Sequence, residues 1–261
     1  MVFKKLSRLP KRIYQDLKII RLAKNWNEIL SSKFTQSVLL TIKLRNGVVL
    51  DSPEEASLNF LFHEIWLDEV YAPKDYDIKS NNIVFDIGGN IGVFAFYAAT
   101  KASNVKVYSY EPFPQNAKFF EQNLNKSRLN NVTLYNQAVA GESTQRKLHV
   151  HESWIKHSLT EDSLDSNSIS VDCVSLNQAL ENFAECDLLK LDCEGSEYEI
   201  LYASSTETLG KIKRIVGEYH NLDSEKKNGE SMRKFLEENG YQIDIFQTLD
   251  DNSGFICAKR Q

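Results

Sequence analysis

The sequence predicts an α/β fold, a mainly parallel sheet with helices on both faces. Three observations carry this expectation. From Asn82 onward, short apolar strands alternate with helical segments, the pattern of strands joined by helical crossovers. The first of these strands, "IVFDI", runs into the glycine-bearing turn "GGNIG", which opens a helix. At the C-terminus, "YQIDIFQ" and "GFICAKR" flank "TLDDNS" and read as a hairpin that makes one strand antiparallel. The chain divides into a lead-in extension, residues 1–80, and a core domain, residues 81–261.

The extension begins with a helical pattern over 1–31, interrupted at Pro10. "SVLLTIKLRNGVVLDSP" reads as two strands turning at Asn46-Gly47. Residues 53–71 carry apolar positions at helical intervals after an acidic first turn. In the core, strands are expected at 83–87, 105–111, 131–141, 168–174, 187–195, 211–220, 241–247 and 254–260, with helices such as 114–125 between them. Ser175 is placed to cap the helix after the 168–174 strand. In such sheets a ligand lies at the carboxyl ends of the strands, near the point where strand order reverses.

Composition narrows the function. The 261 residues are 42% hydrophobic and 26% charged, ordinary for a soluble globular protein. The net charge of -5 and the lack of a basic aromatic stripe argue against a nucleic-acid partner. No run approaches the ~18 apolar residues of a membrane span, and no secretory signal is read. Cys173, Cys186, Cys193 and Cys257 show no C-x-x-C pairing, so reduced thiols and a cytoplasmic location are expected.

The turn after the first core strand is the main functional signal. Asp86 ends the strand, and Gly88, Gly89 and Gly92 permit a tight turn and close approach of a ligand. A dinucleotide site would show G-x-G-x-x-G around a pyrophosphate, which the acid here would repel. Glu111 ends the next strand, 25 residues on, where a carboxylate can accept both hydroxyls of a ribose.

The stretches "FDIGGNIGVFAFYAA", "YSYEPFPQNAKFFEQNLNKSRLNNVTLYNQAVAG" and "DLLKLDCEGSEYEIL" resemble the FkbM family of S-adenosylmethionine-dependent methyltransferases. The resemblance covers about residues 82–220, with three separated motifs in order. It implies a class I methyltransferase (Rossmann-like) fold with a seven-stranded sheet, and S-adenosylmethionine as cofactor. Carried over residue by residue, Gly88, Gly89, Asn90 and Gly92 would wrap the cofactor. Asp86 would act through water or the turn backbone. Glu111 would hold the ribose, and Pro112 and Phe113 would shape the adenine wall. Asn136, Gln137 and Ala138 would meet the adenine edge. Asn90 stands where many methyltransferases have glycine. Tyr71, near the end of the lead-in helix, is placed to reach or cover the cofactor.

"KLDCEGSE" puts Lys190, Asp192 and Glu194 around a strand end, and "GEYH" puts Glu218 and His220 at the end of the neighbouring strand. Buried charges there must be paired or used. His220 is the candidate general base for a hydroxyl acceptor, oriented by Asp192 or Glu218. Asp192 also belongs to the expected cofactor contacts. No metal is expected, because histidine is a poor magnesium ligand and Lys190 is nearby. His63, Trp154, His157 and Glu194 are the acceptor candidates, Trp154 and His157 from a long polar loop over 149–168. The expected function is O-methylation of a glycan or glycosylated metabolite. The alternatives are a polyketide or other small-molecule acceptor, and a non-catalytic cofactor-binding module.

Met1 to Lys24 holds eight Lys/Arg against one acid, Asp16, so this segment is +7 and the remainder is -12. Ile13, Leu17, Ile20 and Ala23 recur every three or four positions. The favoured expectation is that this face packs on the acidic core and pairs with it; the alternative is peripheral attachment to an anionic membrane.

Overall fold

The computed structural model describes residues 10–35, 37–54, 57–150, 159, 168–223 and 225–261. Its main sheet has seven strands: β3 (Ile83–Ile87), β4 (Lys106–Tyr110), β5 (Val132–Tyr135), β9 (Leu188–Leu191), β10 (Arg214–His220), β11 (Tyr241–Thr248) and β12 (Ser253–Arg260). Their order is β11-β12-β10-β9-β3-β4-β5, and only β12 runs against its neighbours. The chain leaves β3 toward β4 and β5, then returns to place β9 on the other side of β3. That reversal opens a crevice at the carboxyl ends of β3 and β9.

Helix α4 (Val93–Lys101) follows β3 and buries Val93 through Ala99 on every side, as a helix lodged within a core must. Helix α5 (Pro114–Ser127) begins with Pro114, whose missing N–H costs nothing in a first turn. Ser175 accepts from Gln178 N and caps α6 (Leu176–Ala179), as expected. Helices α7 (Glu197–Tyr202), α8 (Thr206–Lys211) and α9 (Gly229–Glu238) complete the core.

The extension is α1 (Lys11–Leu22), α2 (Trp26–Thr35), the hairpin β1 (Thr41–Lys43) and β2 (Val49–Asp51), and α3 (Leu58–Phe62), which runs into one π turn over His63–Leu67. One apolar cluster joins its residues Ile19, Phe62 and Trp66 to Val84 and Phe120 of the core. Asn123 of α5 is the polar stitch: its Nδ2 donates to Asp51 O (2.9 Å) and Ile91 O (3.1 Å), and its Oδ1 accepts from Asp51 N (2.8 Å).

Four sequence expectations change. The helix expected over 53–71 is shorter, because Glu69 adopts φ 55°, a left-handed conformation that stops it. Residues 131–141 are two strands, because the Asn136 amide donates to Glu111 O (2.8 Å) and Pro112 O (3.1 Å) and turns the chain. The second, β6 (Ala138–Ala140), pairs with β8 (Ser168–Ser175) in a separate three-stranded sheet completed by β7 (Gln145–His149). No strand is expected over β7; with only Leu148 buried it carries no hydrophobic period. Finally, Ile13, Leu17 and Ile20 of α1 do not pack on the core; Ile19 is the helix's one buried residue, with Ala23 just beyond. The helix is held instead by polar side chains, with Lys18 on Glu69 (2.9 Å) and Lys11 on Asp68 (3.2 Å).

Candidate active site

The turn after β3 is shaped by the chain itself. Gly88 N and Gly89 N both donate to Tyr110 O, at 3.0 and 2.9 Å. Gly88 has φ 82°, and a Cβ there would lie 1.8 Å from the carbonyl oxygen of Asp192. Only glycine lets β3 and the end of β9 approach this closely. Asn90 sits at φ 49°, in the left-handed region that asparagine tolerates, and its Oδ1 accepts from Ile91 N (2.7 Å). This accounts for asparagine where glycine is common. Gly92, at φ 92°, caps α4.

Glu111 ties this turn to β4. Its Oε2 accepts from Asn90 N (2.7 Å) and its Oε1 from Phe113 N (2.9 Å), with Asn116 Nδ2 at 3.4 Å. Burial pushes the carboxyl up to about 7, although those backbone N–H groups favour its charged form.

Beneath the turn lies a buried ion pair. Asp86 is fully buried; Ser109 Oγ donates to it at 2.7 Å, and Lys190 Nζ stands 3.2 Å away. Lys190 also donates to Gly88 O (2.6 Å) and lies 3.8 Å from Asp192. Burial works against the ammonium, but Asp86 and Asp192 outweigh it and raise Lys190 above the ordinary lysine value. Asp86 thus meets the turn backbone through Lys190 and does not line the pocket.

A cluster of acids gathers beside the turn. Tyr71 donates its hydroxyl to Asp192 Oδ2 (2.9 Å). Glu64, from the π turn, is pushed up to about 7 by burial and by Asp192. Glu218 is pushed up to about 8 by burial, Asp192 and Glu64. His220 lies between carboxylates: its Nδ1 is 3.2 Å from Glu197, and its Nε2 is 3.4 Å from Glu194 and 3.9 Å from Glu218. Burial alone would lower the imidazole, but the Glu197 hydrogen bond and the charges of Glu197, Glu194 and Asp192 raise it to about 9. These carboxylates favour the protonated imidazole of His220. Asp192, Glu218 and His220 each offer one ligand-type atom, all within 4.8 Å of one another. The Lys190 ammonium lies 3.8 Å from Asp192, beside this donor set.

A family model for the FkbM methyltransferase domain matches residues 86–243, more than half of the chain. The chain belongs to this family. It is similar to the 31-O-demethyl-FK506 methyltransferase FkbM of Streptomyces tacrolimicus, with 24% identity over 71% of this chain and 84% of the relative. It is also similar to Methyltransferase 1 of Beauveria bassiana, with 24% identity over 76% of this chain and 87% of that protein. A solved magnesium protoporphyrin IX methyltransferase from Synechocystis PCC 6803, with bound SAM, aligns at TM-score 0.46 and 14% identity, over 78% of this chain and 82% of that one. The chain is a class I S-adenosylmethionine-dependent methyltransferase, and S-adenosylmethionine is its cofactor.

The residues present in this FkbM-family methyltransferase fit that cofactor. A pocket at the β3–β9 crevice is lined by Gly88, Gly89, Asn90, Glu111, Pro112 and Ala138 among the residues expected from sequence. Tyr71, Asp192 and Glu194 line it too. Asn116 Oδ1 faces this pocket region buried, with no hydrogen-bond partner among the described residues, so it awaits a donor such as an amine or hydroxyl. Glu111, beside it, is the acceptor for ribose hydroxyls.

Other expected residues sit elsewhere. Gly92, Phe113, Asn136 and Gln137 support the turn and strand ends without lining the pocket. Glu218 and His220 are not among the residues that line it. His63 lies off the pocket, its imidazole lowered by burial. Trp154 and His157 fall outside the described residues. Sequence reasoning missed Glu64 and Asn116. Asn116 lies in the first turn of α5, just after Glu111, and could have been read as its neighbour; Glu64 sits between Leu61 and Ile65 and gives no signal beyond being an acid in an apolar stretch.

Proposed function

We propose that this methyltransferase methylates the oxygen of a hydroxyl and that Glu64 takes the hydroxyl proton. The observation that carries this reading is a pocket-lining carboxyl whose proton affinity is raised to about 7. A base poised near the working pH is the efficient one. S-adenosylmethionine, when bound, supplies an electrophilic methyl group on a sulfonium. Gly88, Asn90 and Glu111 hold the cofactor, and Asp192, fixed by Tyr71, offers negative charge to a cationic donor. His220, kept protonated by Glu197, is a positioning residue that holds Glu194 and Glu218 in place. The reading is metal-independent, since Lys190 stands 3.8 Å from Asp192 and competes with a cation there.

For the acceptor, a hydroxyl on a small molecule, glycosylated metabolites included, is the leading reading. It is supported by the name of the Streptomyces relative, which specifies an O-demethyl compound, and by the apolar pocket residues Leu61, Ile65, Phe94 and Leu148. A glycan acceptor is the second reading; it rests on Trp154 and His157. Four unpaired cysteines agree with a cytoplasmic setting. The test is single-turnover kinetics of Glu64→Gln. The rate of methyl transfer should fall ~10²–10⁴-fold while cofactor affinity holds. Wild-type turnover in the variant would remove Glu64 from the mechanism.

A further inference from the structure

We infer that the outer face of α1 is a docking surface for an anionic lipid membrane. On this helix Ile13, Tyr14, Leu17 and Ile20 are 46%, 40%, 43% and 37% exposed. Ile13, Leu17 and Ile20 fall on the arc opposite Lys11, Gln15 and Lys18, while Ile19 is fully buried. The helix is therefore turned inside out relative to a normal surface helix, with its polar anchors inward and its apolar stripe outward. Lys11 and Gln15 hold Asp68 at 3.2 and 2.8 Å, Lys18 holds Glu69 and Leu67 O at 2.9 and 2.8 Å, and Asp16 pairs with Lys33 at 2.8 Å. At its C-terminal end, Arg45 N donates to Leu22 O (2.8 Å). These contacts fix the orientation, so the stripe is a built feature of the surface.

Charge selects the occupant. Besides Lys11 and Lys18, the first 24 residues contain Lys4, Lys5, Arg8, Arg12, Arg21 and Lys24, and their one acid, Asp16, is matched by Lys33. Arg12 lies 5.7 Å over the ring of Phe34, itself 75% exposed, which extends the apolar surface beyond the helix. An apolar stripe with a basic surround matches the acyl boundary and headgroups of an anionic bilayer. A second copy of the same face would bring like charge and is disfavoured. No helix among the described residues is long and apolar enough to cross a membrane, so attachment is peripheral.

The test is co-sedimentation of the full chain with vesicles of phosphatidylglycerol and phosphatidylcholine, and with phosphatidylcholine alone. Binding to the anionic vesicles at low salt should fall about tenfold or more at high salt. Ile13→Ser/Leu17→Ser/Ile20→Ser should lower the partition coefficient by at least about tenfold, since each change removes exposed apolar surface. Melting temperature and cofactor affinity should stay at wild-type values. Arg12→Ser/Lys24→Ser should weaken binding to anionic vesicles without changing the fold. The inference is overturned if the full chain stays in the supernatant at low salt, or if the triple variant binds as well as wild type. It is equally overturned if light scattering shows a dimer that the triple variant dissociates while vesicles bind neither protein.

Discussion

Replacing Glu111 with glutamine isolates the anionic acceptor at the cofactor pocket while keeping its volume. In the wild type both carboxylate oxygens are engaged by backbone N–H groups, at 2.7 and 2.9 Å, and the residue lines the pocket. Glutamine keeps one acceptor oxygen and turns an NH₂ toward an N–H donor. A hydrogen bond to a charged group contributes about 1.5–3 kcal/mol, so the dissociation constant for S-adenosylmethionine should rise roughly 10- to 150-fold. The pH dependence is a second readout. Glu111 is raised to about 7, and the ionised carboxylate is the form that accepts ribose hydroxyls. Wild-type affinity should therefore increase as pH rises from about 6 to about 8, and the variant should lose that slope. Isothermal titration at three pH values, with S-adenosylhomocysteine as a stable ligand, measures both. Equal affinity in the variant, or a wild-type affinity indifferent to pH, would refute the ribose role.

Lys190→Met leaves Asp86 buried without its cation, and breaking such a pair costs about 3–5 kcal/mol, so urea unfolding should show a loss of that order; a loss under about 1 kcal/mol would mean the pair is not structural. The ligand-free protein should become less stable as pH rises from 6.5 to 9. His220 binds its proton up to about 9 when folded and 6.5 when unfolded, and Glu64 and Glu218 hold theirs to about 7 and about 8 against an ordinary 4.5. In that window the folded state holds more protons than the unfolded, so stability falls. Thermal melts across the range should show the decline, and His220→Gln should flatten its upper part. Methyl transfer should survive exhaustive dialysis against EDTA; loss of activity restored by magnesium would instead assign a cation to Asp192, Glu218 and His220.

Much of this was legible in the sequence, and the reasons are physical. The β3 turn and Glu111 could be read because a strand end followed by glycines has few structural solutions, and an acid at the next strand end falls in the same crevice. The convergence of Asp192, Glu218 and His220 followed from adjacent parallel strands, β9 and β10. The protonation of His220 was not legible. It depends on Glu194 and Glu197, which follow β9, closing on the imidazole from a different element. Glu64 was hidden for a related reason: its helix reads as core packing, and only the docking of that helix beside Asp192 turns one acid toward the pocket. The orientation of α1 was misread because apolar periodicity says a helix has two faces, and not which one the fold covers.

The central claim is that a methyl group reaches oxygen with Glu64 accepting the proton. Incubating the protein with S-adenosylmethionine labelled with ¹³C at the methyl, against a small-molecule fraction and a glycan fraction, and reading the product by carbon–proton NMR tests it most directly. A methoxy signal should appear with the wild type and be absent with Glu64→Gln, which still binds the cofactor. Label on nitrogen, carbon or sulfur, or a methoxy product formed equally by the variant, would contradict it.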